Sequence, residues 1–136
     1  QLEQADAITS RRLAAWDRYH EALAPLEARG LLRRPIVPAD CQHNAHMYYL
    51  LLPAFMARQA VIDDLKRKDI YSVFHYVPLH SSPAGQHYGR AHGNLGVTDK
   101  VAATLLRLPM WTGLDAVQER VIDALIISLT AQERQA

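Results

Sequence analysis

The stretch SVFHYVPLHSSPAG, residues 72–85, predicts a short β-strand that opens into a polar loop. β-branched and aromatic residues from position 71 to 77 favour an extended strand, and Pro78 ends it because proline has no N–H for a neighbouring strand. Side chains fixed at the end of a rigid strand can bind a ligand with little further loss of conformational entropy. Three rings are therefore candidate ligand contacts: His75, Tyr76 and His80. The alternative is a structural role, which is the more common one for a lone histidine or tyrosine.

The sequence before this strand predicts two helices and one further strand. Apolar residues recur at three- and four-residue intervals over residues 2–23, which indicates an amphipathic helix. The run HMYYLLL, residues 46–52, ends at Pro53 and predicts a strand buried on both faces. Residues 58–68 predict a helix with a charged outer face, which returns the chain to the strand at Tyr71.

The sequence after the strand predicts a long loop, a helix, a third strand and a last helix. Residues 78–97 are rich in glycine and histidine, and a connection of this length is usually a cover over a functional site or a disordered segment. The spacing of apolar residues predicts a helix over 99–106 and a short strand over 107–110. Asp115 is the expected N-cap of the last helix, with Gln118 as its partner three residues on.

These elements predict one domain over residues 1–136, an α/β (α+β) fold. We expect a small mixed or antiparallel sheet of about three strands covered by about four helices. The chain has 15 Lys and Arg against 14 Asp and Glu, so its net charge of +1 gives no reason to expect nucleic acid or an acidic membrane as partner. The apolar runs are shorter than the roughly 20 residues of a membrane span, so we expect a soluble protein. Cys41 is the only cysteine, so no internal disulfide can form, which fits a reducing compartment and the expected cytoplasmic location.

Several common site motifs are incomplete in this chain. Cys41, His43 and His46 have ligand-like spacing, but a structural zinc site needs four converging ligands and no second pair follows, so we expect no metal. Ser81 and Ser82 lie outside any G-x-S-x-G turn, and loop serines beside prolines usually form turns. The glycines of the loop match no phosphate-binding pattern. Two aromatic rings are best placed to stack on a base or sugar, those of Tyr76 and Tyr88.

Three blocks of sequence resemble the C-terminal part of the sugar-nucleotide aminotransferases of the DegT/DnrJ/EryC1/StrS family. They are HNAHMYYLLL at 43–52, FHYVPLHSSPAGQHYG at 74–89 and LLRLPMW at 105–111. The blocks occur in the family's order with similar spacing, and the resemblance extends from the opening helix to the last one. It implies the small domain of a fold type I enzyme, without the large domain that binds the cofactor.

The resemblance also implies an activity for the intact enzyme. Such enzymes use pyridoxal 5'-phosphate to move an amino group from glutamate to the 4-keto carbon of a nucleotide-linked deoxysugar, usually as homodimers. Carried over to this chain, His75 and Tyr76 are the best candidates for substrate contact, followed by His80 and then Tyr88. The lysine that carries the cofactor would lie outside this chain, so the resemblance implies no catalytic or cofactor-binding residue here.

The lysines of the chain lead to the same expectation by physical reasoning. A lysine that reacts with pyridoxal phosphate must be partly desolvated so that its amine can lose a proton. The chain has only three, all on predicted charged helix faces: Lys66, Lys68 and Lys100. We therefore expect this chain alone to bind no cofactor and to catalyse no transamination.

Two other functions remain open at this point. The chain could be a free-standing module that binds a small ligand, or an oligomerisation domain that associates through the helix over 2–23. An exposed apolar surface separates the small domain of a larger enzyme from the free-standing module, because a domain taken from a larger protein exposes the area that its partner domain covers. Sedimentation at several concentrations tests the oligomerisation domain, which a monomer at all of them would exclude.

Overall fold

The computed structural model describes residues 2–134, which form six helices and a three-stranded antiparallel sheet. In chain order the elements are α1 (Ala5–Ala22), α2 (Ala24–Ala28), β1 (Tyr48–Leu51), α3 (Arg58–Arg67), β2 (Val73–Phe74), α4 (Pro83–Tyr88), α5 (Gly96–Thr104), β3 (Leu105–Leu108) and α6 (Gln118–Glu133). Short 3₁₀ turns cover Leu2–Gln4, Leu79–Ser81 and Leu114–Ala116. The predicted α/β fold is confirmed, with more helices than expected because α2 and α4 are short ones.

The last strand in the sequence, β3, lies in the middle of the sheet. It pairs antiparallel with β1 on one side and with β2 on the other, in the order β1-β3-β2. The two pairings meet at Leu106, opposite Leu50 of β1 and Phe74 of β2, and at Arg107, and of these two residues only Leu106 is buried in the core. Strands β1 and β2 are therefore connected within the sheet only through β3.

One face of the sheet carries the core. Tyr48, Leu50 and Leu106 are buried, and they belong to one cluster with buried side chains of α1, α3 and α6. The ring of Tyr48 packs against both Trp16 and Tyr19 of α1, with centroids 5.3 and 5.1 Å apart. On the opposite face the intervening residues of β1, Tyr49 and Leu51, are only half-buried. The prediction that this strand is buried on both faces was wrong, because successive side chains alternate and the helical core covers one face.

The second strand is shorter than predicted. It covers Val73–Phe74 instead of 71–77, and both residues are exposed. Its ladder runs antiparallel to β3, and the next partner after Leu106 is Leu105, where β3 begins at the end of α5. The extended chain beyond Phe74 therefore has no continuing strand to pair with.

The last two helices and β3 also begin at other residues than predicted. Helix α5 starts at Gly96 and ends at Thr104, so that β3 starts at Leu105 and not at Arg107. Helix α6 starts at Gln118, while Asp115 lies in the preceding 3₁₀ turn and makes no cap. Gln118 is buried instead of completing a capping pair. The described residues contain no helix long and apolar enough to cross a membrane.

Replacement of Leu106 tests whether the central strand β3 holds the fold together. We expect Leu106→Ala to lower the free energy of unfolding by about 2–5 kcal/mol, because it leaves a cavity where both strand pairings meet. Urea unfolding followed by circular dichroism measures the loss. The matched control is Ile127→Ala on the exposed side of α6, which should change stability by less than about 0.5 kcal/mol. Equal losses in the two variants would contradict the central role of Leu106.

Candidate functional site

The chain after β2 forms an ordered turn and a short helix, where the sequence predicted a loop. Ser82 is the N-cap of α4: its Oγ accepts a hydrogen bond from the Gly85 N–H at 3.0 Å and donates one to the Leu79 carbonyl at 2.9 Å. Ser81 donates through its Oγ to the Pro78 carbonyl. Both serines are used by the turn, which confirms the interpretation that they are turn-forming residues.

His80 connects this turn to α5. Its Nε2 lies 2.9 Å from Oδ1 of Asp99, in the first turn of that helix. The His80 side chain is 20% exposed, whereas that of Asp99 is 54% exposed. His80 is thus held against the domain by a polar contact while part of its ring remains accessible to a ligand.

Two cavities adjoin this contact. The larger, of about 760 Å³, lies between the turn, α4 and the start of α5, and His80 is part of its wall. The smaller, of about 410 Å³, lies beside the exit of β2, and Asp99 is part of its wall. The His80–Asp99 contact therefore stands between two concave surfaces.

The structure brings together some of the four predicted site residues and separates the others. His80 and Tyr88 line the larger cavity, whereas Tyr76 lines the smaller one. His75 lines neither, and its ring packs edge-on against that of Tyr76 with centroids 4.7 Å apart. Tyr76 and Tyr88 are 71% and 85% exposed. The rings lie at the surface, where ligand contact is feasible, and their role as substrate contacts stays a prediction.

The sequence analysis did not identify two polar side chains of the larger cavity, Arg90 and His92, or Arg58 of the smaller one. Arg90 and His92 line the larger cavity, where a guanidinium and imidazoles favour an anionic ligand. The pattern Arg-x-His within a glycine-rich loop is the sequence feature that could have indicated them.

Arg58 forms part of the smaller cavity and connects α3 to the junction of α5 and β3. Its Nη1 donates to the carbonyl oxygens of Ala102 and Leu105, and its guanidinium lies 5.5 Å from the centroid of the Phe74 ring. Burial lowers the pKa of Arg58 from its usual value. The residue fixes one wall of the cavity beside the strand exit.

The three residues with metal-like spacing do not converge. His43 packs against the ring of Trp16, His46 places Nδ1 2.9 Å from Oδ1 of Asn44, and Cys41 is exposed. Within residues 2–134 there is no group of three or more His, Cys, Asp or Glu side chains arranged to hold a metal ion.

The segment around the end of β2 exposes many large apolar side chains, and we call these the 71–79 surface. Six large apolar side chains within nine residues are between 45% and 77% exposed: Tyr71, Val73, Phe74, Tyr76, Val77 and Leu79. A concentration of exposed large apolar side chains in one segment is typical of an interaction site. The 71–79 surface includes the strand exit on which the candidate site is built.

Comparison with known proteins identifies a family. The model of the DegT/DnrJ/EryC1/StrS aminotransferase family matches residues 1–126. A curated relative, dTDP-3-amino-3,4,6-trideoxy-alpha-D-glucose transaminase from Micromonospora megalomicea subsp. nigra, is 31% identical over 128 residues, which is 90% of this chain and 33% of the relative.

Solved structures agree with this result. The aminotransferase TlmJ from Streptoalloteichus hindustanus has a TM-score of 0.84 at 28% identity, with 96% of this chain and 34% of that one covered. S. venezuelae DesV, solved in complex with a ketimine intermediate, has a TM-score of 0.77 at 29% identity, with 91% and 32% covered. The chain spans about a third of the length of these relatives.

Gly85 provides a test of the wall of the larger cavity. A Cβ at this position would lie 1.6 Å from the Leu79 carbonyl oxygen, so Gly85→Ala requires the backbone of the turn or of α4 to move. We expect large shifts of the backbone amide resonances over residues 79–89 in ¹H–¹⁵N NMR spectra, while the resonances of α6 stay in place. Gln86→Ala, on the exposed side of the same helix, is the control and should leave the segment unchanged. Spectra of Gly85→Ala that match those of the parent would show that the contact is absent in solution.

Proposed function

Because this chain belongs to the DegT/DnrJ/EryC1/StrS aminotransferase family, we propose that it is the small domain of a longer enzyme and forms part of a sugar-nucleotide site. The intact enzyme would transfer an amino group from glutamate, with pyridoxal 5'-phosphate as cofactor. The acceptor would be the 4-keto carbon of a dTDP-linked 6-deoxyhexose, as in the dTDP-4-amino-4,6-dideoxygalactose transaminases that the sequence blocks resemble. The curated relative carries a name that places its amino group at carbon 3, so the position of amination is the part most in need of a test.

The 71–79 surface is the observation that carries this proposal. An independent domain usually has its large apolar side chains covered, whereas here six of them project from one short segment. The relatives are about three times as long as this chain, so they contain the additional protein that such a surface requires. We infer that the large domain, or the second subunit of a homodimer, covers part of the 71–79 surface.

The two cavities have the chemistry that a sugar nucleotide requires. The larger one combines Arg90 with the imidazoles of His80 and His92, which suit a diphosphate. The rings of Tyr76 and Tyr88 can stack on a base or pack against a sugar. His75 supports Tyr76 through the edge-on contact of their rings. In this proposal the chain binds and orients the substrate.

The lysines of this chain do not fit the attachment of the cofactor. Lys66 and Lys100 are exposed, and Lys68 forms an ion pair with Asp64 at 3.0 Å. None of the three lies in the partly desolvated pocket that a lysine attached to the cofactor requires. The cofactor supplies the electron sink for amino transfer, and its lysine must come from outside this chain.

A cytoplasmic location and a role in making precursors of cell-surface polysaccharides complete the proposal.

The role of the strand exit can be tested in the intact enzyme. We expect His75→Ala and Tyr76→Phe to lower kcat/KM for the sugar nucleotide about 3- to 10-fold, the size of one lost hydrogen bond or ring contact. The cofactor absorbance of the purified variants should stay at the level of the parent. Tyr71→Phe removes a hydroxyl from the same segment outside both cavities and serves as the control. Parental kinetics in both test variants would contradict substrate contact by these residues and leave them with a structural role.

The absence of a suitable lysine gives a second prediction. Titration of the 136-residue chain with pyridoxal 5'-phosphate should produce only the absorbance of the free cofactor and of its weak adducts with exposed amines. Borohydride reduction followed by mass spectrometry provides the check. Stoichiometric labelling of a single lysine would contradict the assignment of the cofactor to another part of the enzyme, whereas weak labelling spread over all three lysines is expected of exposed amines.

A further inference from the structure

The guanidinium of Arg58 joins the end of α5 to the end of β2. Its Nη1 donates to the main-chain oxygens of Ala102 and Leu105, the second at 3.3 Å. The same group lies 5.5 Å from the centroid of the Phe74 ring, within the range of a cation–π interaction. Arg58, Phe74 and Ala102 all line the smaller cavity. One side chain of α3 therefore contacts both elements beside this cavity.

The contact with α5 completes the C-terminal end of that helix. The last four carbonyl groups of a helix have no partner within it, and the last turn of α5 contains no basic side chain that could supply one. Ala102 lies in this turn, and Leu105 is the C-cap residue. A positive charge at a helix C-terminus also interacts favourably with the helix dipole. The guanidinium of Arg58 is thus fixed by the fold itself, independently of any ligand.

The chain at the end of β2 has few other restraints. The strand has two residues, and outside its ladder with β3 the next three residues, 75–77, make no main-chain hydrogen bond with another described residue. Phe74 is 45% exposed, so packing in the core does not fix its ring. The contact with Arg58 therefore restrains the last residue of the strand, directly before His75 and Tyr76.

We propose that Arg58 is a positioning residue, which holds Phe74 so that the strand exit presents His75 and Tyr76 to the sugar nucleotide. This inference rests on the proposed function for the role of the two rings, whereas the contact between Arg58 and Phe74 is present in this chain alone. Arg58 acts through the strand, and the cofactor belongs to another part of the enzyme. Its loss therefore weakens substrate binding more than it slows the chemical step.

Two substitutions remove the contact in different ways. Arg58→Lys retains the positive charge and a donor for one carbonyl, but an ammonium group has no plane to lie against the ring while it donates to two carbonyls. Phe74→Leu retains an apolar side chain without the aromatic face. Arg67→Lys is the matched control, because Arg67 lies on the same helix with its side chain 69% exposed and pairs with Asp64.

The first measurement uses the 136-residue chain without substrate. The ¹⁵N order parameters of residues 75–77 should fall in both test variants, from a value near about 0.85, typical of a rigid backbone, toward about 0.6, typical of a flexible one. The amide resonances of α6 should stay in place, which shows that the variants are folded. Arg67→Lys should leave the order parameters unchanged. Parental order parameters in Arg58→Lys and Phe74→Leu would overturn the inference, whatever the enzyme binds.

The second measurement uses the intact enzyme. Each test variant should raise KM for the sugar nucleotide about 3- to 10-fold, the size of one lost cation–π contact. The value of kcat should stay within about twofold of the parent, as expected when binding alone is weakened. The double variant should raise KM no more than the stronger single variant, because both substitutions remove the same contact. Effects that multiply in the double variant would overturn the inference, since they indicate separate contacts of Arg58 and Phe74 with the substrate.

The variants of the two rings separate this inference from the proposed function. If His75→Ala and Tyr76→Phe lower kcat/KM while Arg58→Lys has the parental KM, the positioning role of Arg58 is wrong and the proposed function stands. If all of these variants have parental kinetics, the proposed function is overturned and this inference with it. A raised KM in Arg58→Lys and Phe74→Leu, together with the loss of order at residues 75–77, supports the positioning role.

Discussion

The double pairing of β3 is the constraint on which the rest of the molecule depends. This four-residue strand provides the hydrogen bonds of both neighbours, and Leu106 closes the core beneath the point where the two pairings meet. Because α5 ends where β3 begins, the position of the helix is determined by the same four residues. Arg58 ties α3 to this junction through two carbonyl oxygens. Helix α5, which contributes to the walls of both cavities beside His80 and Asp99, therefore ends directly at this short strand.

The arrangement separates the buried core from the candidate functional site. Helices α1, α3 and α6 pack in the buried cluster on one face of the sheet, where alternation along β1 places Tyr48 and Leu50. The strand exit, the turn at His80 and α4 contribute almost nothing to that cluster and remain at the surface. Side chains in this region can therefore be replaced without disturbing the buried cluster.

The spacing of apolar residues and the positions of proline in the sequence predicted much of the fold. The intervals of apolar residues predicted α1, α3 and α6, and the run ending at Pro53 predicted β1, because these elements bury one continuous apolar side. The short helix α4 was missed, since Pro83 and Gly85 suggested a loop. A proline in the first turn is compatible with a helix, and Ser82 caps it.

Other features depend on contacts that no local pattern contains. The length of β2 is limited by where β3 begins, some thirty residues later in the chain. The predicted rings of His75, Tyr76, His80 and Tyr88 lie at the surface, but the sequence did not show that His80 and Tyr88 line one cavity, Tyr76 another and His75 neither. It also did not show the contact of His80 with Asp99, 19 positions away. Gln118 was expected to complete a helix cap, and only the approach of α1 shows that its amide serves the Ala15 carbonyl instead.

The brevity of β2 has a consequence for how this molecule behaves at high concentration. The outer side of an edge strand offers free N–H and C=O groups on which strands of other molecules can assemble, and apolar side chains beside it make fibrous aggregation more favourable. Here the strand has two residues, and Pro78 follows four positions after it. Few backbone groups are therefore available as a template, so this apolar region can contact a partner through its side chains with little risk of polymerisation through its backbone.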